Sequence, residues 1–556
     1  MNRNETNRFA VNPISLDISR SIFNRDHKVL FSGNVGDVIP FFISEVLPGD
    51  TFKVITSKVV RLQPLVTPIM DNLYLDTYYF FVPNRLVWSH WKEFMGENTS
   101  SAWVPSVSYT VPKITVPTGG FDVGTIADYL GVPPKKGAGK TVSALPFRAY
   151  ALICDQWFRD ENLMNPVHVH VDETTRTGVN SGDQVTDIEL GGKPFIACKY
   201  FDYFTACLPG AQKQNGSQVA FGLNGLLPVN AYKQKATVNI GDVRTDLESM
   251  KFVKSVGTGA AVPSNELVNV TNGGAVYGAG TAASIGSAEW LSPSNLFAEL
   301  NNTFLFDINS LRQAFAIQRF YEKQARGGSR YIEQIKSFFN VDSPDARLQR
   351  SEYLGGNRLP LNVSQVEQTS ATQTGLTPQG NLTGISHTGD VNYDFEKSFT
   401  EHGYVIGVSV VRYHHTYQDG LEPHWQRTTL FDFYNPTFAN LGEQAVREDT
   451  IYFNSANNNV FGYQEAWADY RYAPNRVAGE MRSVATTPLD MWHLADKYTS
   501  QPYLSDSWIR EDKSNLDRCL AVTSAVSNQF MADFYIQCEA ARPMPLYSVP
   551  GLIDHH

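Results

Sequence analysis

The sequence predicts a mainly β protein, an antiparallel Greek-key sandwich or jelly roll, and two observations carry that prediction. The first is the stretch from Asp37 to Trp88, DVIPFFISEVLPGDTFKVITSKVVRLQPLVTPIMDNLYLDTYYFFVPNRLVW, which reads as three successive strands. The second is that the residues just after Trp88 supply no partners for those strands, whereas Gly403 to Arg412 (GYVIGVSVVR) and Asp533 to Ala541 (DFYIQCEAA) do. First strands closing against last strands is the topology of such folds.

The first two strands flank Leu47-Pro48-Gly49-Asp50, where Pro presets φ and Gly supplies a left-handed residue, so a hairpin is expected there. In Thr51 to Leu62 and in Leu73 to Val82, β-branched and aromatic residues occupy positions of both parities, which predicts that both faces are covered. In the third strand Leu73, Leu75, Tyr79 and Phe81 share one face, and Tyr74, Tyr78, Phe80 and Val82 the other.

At 556 residues the chain exceeds the usual single domain, which predicts a core with large insertions or two to three domains. Its five cysteines are scattered and never spaced as CxxC, so neither a disulfide framework nor a thiolate zinc site is indicated, and a reducing compartment is expected. The N-terminus has no apolar core of a signal peptide and no run reaches the length of a membrane span, so the chain is read as not membrane-embedded. A net charge of −10 argues against a surface built wholly for nucleic acid, while local basic faces remain open.

In chain order, residues 1–28 form a mildly basic arm in which Arg3, Arg8, Arg20, Arg25 and Lys28 outnumber Glu5, Asp17 and Asp26. Contact with phosphates is one reading and a solvated terminus the other. Val104 to Lys140 is Pro- and Gly-rich loop with a short helical stretch at Gly124 to Leu130. Within it PPKKGAGKT fails as a phosphate-binding loop, because Pro134 holds the first Gly position and no strand precedes it. Leu145 to Leu163 is a helix whose Tyr150, Ile153, Cys154, Trp157 and Phe158 make a core stripe. His168, His170 and Asp172 would share one side of a strand, but no further ligand or general base can be assigned.

Lys213 to Glu289 is rich in Gly, Ala, Asn, Val and Ser and reads as a β-rich surface excursion. Asp307 to Phe339 is the second helix, with Asp307 as N-cap and a break at Gly327-Gly328. On it Arg312, Arg319, Lys323, Arg326 and Arg330 fall near one face beside Phe320 and Tyr321. This face is a candidate for single-stranded nucleic acid, against the alternative of salt bridges within or between subunits. Val363 to Gly389, low in apolar residues, is expected to be an exposed or poorly ordered loop. His402, His414, His415 and His424 have no metal-ligand spacing, and the adjacent pair should point to opposite faces. Phe461 to Ser483 mixes aromatics with arginines, as an interface or a core-covering loop would.

LPFRAYALICDQWFRDENL, then AIQRFYEKQARGGSRYIEQIKSFFNVDSPDARLQRSEYLGG, then FGYQEAWADYRYAPNRVAGEMR, in this order after the strand block, resemble the major capsid proteins of the Microviridae, specifically the gokushovirus branch. The resemblance spans nearly the whole chain except Lys213 to Glu289 and the Thr/Gln-rich loop. It implies an eight-stranded jelly roll with long, partly helical loop insertions, formed by residues 29–212 and 290–556. Residues 213–289 would be a variable insertion forming protrusions at threefold axes and meeting a host cell-surface receptor.

It also implies many copies closing a small icosahedral shell around circular single-stranded DNA, together with a small basic DNA-packaging protein, scaffolding proteins and minor or pilot proteins. Assembly would occur in the host cytoplasm, and no catalytic residue, metal or cofactor is expected. A lectin or glycosidase on a β-sandwich would need a paired carboxylate site that no feature picks out. A metal hydrolase would need more than His168, His170 and Asp172.

Overall fold

The computed structural model describes residues 20–97, 107–211, 213, 308–328, 331–339, 349–370, 378–454 and 458–547, together with six short strands between residues 229 and 298. The chain forms two compact units, Met1–Gly216 with Phe320–His556, and Ser217–Arg319.

The larger unit is built on two antiparallel sheets. Its strands are β1 (Ser21–Asn24), β2 (His27–Gly33), β3 (Ile39–Val46), β4 (Thr51–Leu62), β5 (Leu73–Pro83), β6 (Glu352–Leu361), β7 (Thr388–Ser398), β8 (Gly403–Tyr413) and β9 (Phe530–Arg542). One sheet has the order β2-β9-β4-β7, with β1 continuing β2 along the edge of β9; the other has the order β3-β8-β5-β6. β8 and β9 are the two distant stretches expected to complete the early strands; β8 lies between β3 and β5, and β9 between β4 and the unpredicted pair β1 and β2.

The sheets face each other across a buried core in which Phe41 of β3 meets Phe534 of β9 at 4.9 Å and Tyr79 of β5 meets Phe395 of β7 at 5.3 Å. A second core lies on the far side of β3-β8-β5-β6. There Phe80, Val82, Ile406, Val408 and Val410 pack with Phe147, Tyr150 and Ala151 of helix α1 (Leu145–Ile153). This sheet is therefore covered on both faces, and the two predicted faces of β5 divide between the two cores.

β4 departs from the prediction of two covered faces. Its residues alternate strictly, with Phe52, Val54, Thr56, Lys58, Val60 and Leu62 buried and the intervening ones partly or fully exposed, because no second layer lies over this sheet in the described residues.

The predicted hairpin is also corrected, since β3 and β4 belong to different sheets. The turn forms, with Gly49 at φ +91° and the Asp50 carboxylate accepting from the Leu47 N–H at 2.8 Å, but it arches from one layer to the other. Gly49 N–H donates to Phe399 O and Phe399 N–H to Asp50 O, both at 2.8 Å, so the β7–β8 connection takes the bonds a hairpin partner would have made.

Three further expectations change. Helix α1 ends in a single π turn, Cys154–Phe158, rather than at Leu163, because the Asp160 carboxylate accepts from the N–H groups of Asn162 (2.8 Å) and Leu163 (2.9 Å) and closes a turn instead. The Thr/Gln-rich stretch contains a hairpin, Val363–Glu367 paired with Leu382–Ser386, where Val, Thr and Ile favour extended backbone despite the polar composition; residues 371–377 lie outside the described residues. Residues 168–172 are irregular rather than a strand. The His170 N–H donates to Glu189 at 2.7 Å, its ring also meets Glu189, and Asp172 pairs with Arg176 at 2.7 Å.

Helix α2 (Ile308–Gly327) breaks as predicted, at Gly328 with φ +89°, before Tyr331–Gln334 and Ile335–Phe339; the predicted cap Asp307 lies outside the described residues. In the smaller unit the strands pair in nested fashion. Val229–Ala231 joins Leu296–Ala298, Phe252–Val256 joins Glu289–Pro293, and Val268–Thr271 joins Ala275–Gly278.

Candidate assembly surface and nucleic-acid contacts

Of the predicted basic residues, Arg3, Arg8 and Arg330 lie outside the described residues. Arg20 and Arg25 are exposed at the sheet edge, where Arg20 donates to the carbonyl of Gly49 and Arg25 to Ser44 Oγ at 2.6 Å. Arg312 and Arg319 are exposed on α2. The Lys323 ammonium sits 5.0 Å from the ring centre of Phe338. Arg326 clamps Glu443 with bonds of 3.2 and 2.7 Å and reaches Glu465 at 2.8 Å, and Arg471 shares Glu465 at 2.6 Å. Burial alone would raise the Glu465 carboxyl, but Arg471 and Arg326 hold it below the usual range. The basic row thus divides: its C-terminal end ties α2 to the chain around 443–471, beside a cleft of about 1100 Å³.

Two charge clusters tie irregular chain to the sheet β3-β8-β5-β6 and to the segment beyond β8. Asp76 of β5 accepts from Arg358 of β6 (2.8 Å), Arg412 of β8 (2.7 Å) and Tyr200 (2.7 Å), while both guanidiniums stack on the Tyr200 ring at 4.4 and 4.3 Å. Burial pushes the Asp76 carboxyl up, and the two arginines and Tyr200 outweigh it, so it sits below its ordinary value.

In the second cluster His415, fully buried, lies between Asp496 (Nδ1, 2.8 Å) and Glu511 (Nε2, 3.1 Å), with Lys199 at 3.5 Å and Asn515 at 2.6 Å from Asp496. Burial would lower its pKa, but the two carboxylates raise it to about 9. Both ring nitrogens are engaged and no solvent reaches them, so this histidine holds chain segments together rather than moving protons. His414 points the other way, as predicted, and lies exposed with its ring tilted against that of Tyr200 at 4.9 Å. Among the described residues no group of three or more His, Cys, Asp or Glu could hold a metal ion, and no helix is long and apolar enough to cross a membrane.

A surface feature went unread in the sequence. Residues 421–441 form successive 3-10 turns whose apolar side chains face outward: Trp425 is 68% exposed, Leu430 81% and Phe431 70%, with Phe433 and Tyr434 also exposed. The segment is nonetheless held. Thr429 and Asp432 form a capping box, and Trp467 Nε1 donates to Phe438 O at 2.9 Å. Arg427 pairs with Asp469 and stacks on Tyr470 at 4.3 Å, and Tyr434 packs on Trp467 at 5.6 Å. A cleft of about 540 Å³ opens beside Trp425, Arg427 and Trp467. The available signal was aromatic density without strand or helix periodicity in HWQRTTLFDFYNPTF.

The family described as Capsid protein (F protein) matches residues 13–552. The chain belongs to this family, the major capsid proteins of the Microviridae. The capsid chain is 43% identical over 541 residues to Capsid protein VP1 of Spiroplasma virus 4, covering 96% of each chain. It is 37% identical over 592 residues to Capsid protein VP1 of Chlamydia phage 1, covering 98% of each. It is also 37% identical over 564 residues to that of Bdellovibrio phage phiMH2K, covering 99% of this chain and 98% of the other. Its role is structural rather than enzymatic, its place is the virion, and its first partner is itself.

Proposed function

We propose that this capsid chain, a gokushovirus-type subunit, closes a T=1 icosahedral shell around circular single-stranded DNA and is built on an eight-stranded jelly roll. The observation that carries this reading is the pair of four-strand orders, β2-β9-β4-β7 and β3-β8-β5-β6, with long excursions leaving after β5 and β8. Strands from both ends of the chain alternate in each sheet, as in viral jelly rolls. Interfaces then come from the excursions, which the sandwich leaves free to reach neighbours.

Residues 213–289 are proposed as the surface insertion that forms threefold protrusions and meets the host receptor; their overlap with the unit Ser217–Arg319 supports a separable excursion. Arg3, Arg8, Arg20, Arg25, Arg312 and Arg319 are proposed DNA contacts. For Lys323 and Arg326 the ion pairs of Arg326 favour the alternative, a bond within the subunit. Because the chain is acidic overall, a small basic protein would supply remaining counter-charge, and scaffolding and pilot proteins would join assembly in the host cytoplasm.

The test is sedimentation of particles from producing cells, with electron microscopy of each fraction and nuclease-protected DNA measured in it. Closed shells of uniform size holding circular single-stranded DNA are expected. Open sheets, tubes or DNA-free aggregates in the presence of the other virion proteins would refute the reading.

A further inference from the structure

We propose that the exposed aromatic segment 421–441, extended by Tyr470, is a subunit–subunit contact whose occupant is a second copy of this chain; this rests on the shell reading above. Aromatic side chains bury 150–250 Å² each, so Trp425, Phe431, Phe433, Tyr434 and Tyr470, about half or more exposed, together with Leu430 present roughly 600 Å² of apolar surface. That is at the top of what monomers leave open, and it is most of the ~800 Å² each partner contributes to a standard interface.

Within the patch the side chains pack in two groups. Arg427 lies 5.9 Å from the Phe433 ring and 4.3 Å from Tyr470, Tyr470 lies 6.0 Å from Tyr434, and Phe431 packs on Phe438 at 6.0 Å. It is also set before any partner arrives, by the capping box, the Trp467 hydrogen bond and Pro423 and Pro436 in the turns, so little ordering entropy is lost on contact.

The chemistry selects protein over nucleic acid. Arg427 is engaged by Asp469 and Arg476 by Glu422 at 2.6 Å, and Asp432 faces the same surface, so the arginine that stacks on these aromatics is already paired with a carboxylate. Aromatic residues with arginine and few open charges are the composition of an interface centre. In a coat built from many copies of one chain, the most abundant neighbour available to such a patch is another copy.

A benzophenone-bearing phenylalanine at position 431 of the full-length chain, irradiated in producing cells, tests this directly. The expected product is a covalent dimer whose mapped peptides both come from this chain. No adduct, or an adduct with a different protein, overturns the proposal.

A second arm uses Leu430→Ser, Phe431→Ser and Phe433→Ser together. Self-association by sedimentation velocity should weaken about 100-fold, with melting unchanged because these side chains are exposed. Association equal to wild type overturns the proposal, and Phe431→Ser alone replaces the triple variant if that does not fold. The shell reading fails separately: crosslinked open oligomers would keep this contact and remove the closed shell, whereas closed shells without the crosslink would do the reverse.

Discussion

His415 carries a positive charge inside the protein because two carboxylates stand on either side of it. With the folded pKa at about 9 and the ordinary value at 6.5, the folded state binds more protons between these limits. Its contribution is fully present below pH 6.5 and is lost as pH rises towards 9, an amount on the order of 3 kcal/mol. Asp37, raised by burial to about 6, titrates mostly below that window and adds only a small slope at its lower end.

Thermal melts are expected to fall steadily from pH 6.5 to 9 in the wild type. In His415→Asn they should be lower throughout and nearly flat across that range, because two buried carboxylates lose their cation. That His414 and His415 face opposite ways was legible from their adjacency. What His415 meets was not, because Asp496 and Glu511 lie 81 and 96 residues further on and no local pattern couples them.

At the level of elements, two irregularities meet inside the sandwich. β6 slips register between Tyr353 and Gly355, and β7 between Tyr393 and Phe395, and the Asp394 carbonyl comes so close to Gly355 that an added Cβ would lie 2.1 Å from it. Gly355→Ala is therefore expected to cost about 3 kcal/mol or more, seen as a lower denaturation midpoint with unchanged slope. Gly96→Ala, with open space around its Cβ position, should lose less, its cost being the backbone strain of a positive φ without a clash.

Neither β6 nor β7 was legible as a strand. EYLGGNRLPL is broken by glycines and a proline, and TGDVNYDFEKS sends only Thr388, Asp394 and Phe395 fully inward. By contrast β3, β4, β5, β8 and β9 were legible because most of their buried positions are large and apolar. The arch at Gly49 could not be told from a hairpin, since both need the same turn residues and differ only in which distant strands lie alongside.

For the whole molecule, the separation into two units predicts that residues 217–319 can be exchanged for a short Gly/Ser linker without loss of the two-sheet fold. Melting is expected within about 5 °C of the parent, with shells still formed and attachment to host cells lost. Failure to fold would make the excursion part of the core. The β-rich class and the closing of the chain's two ends were open to inspection in the residues themselves, whereas the family was legible only from three long motif blocks.

β9 lies at the centre of its sheet, paired on one side with residues 21–33 and on the other with residues 51–62, so the sheet closes only after the chain from the first of these strands through Arg542 has been made. A chain cut short anywhere before Phe530 leaves both of those neighbours with bare edges and an open core. Chains terminated before Phe530 are therefore expected to fail to fold.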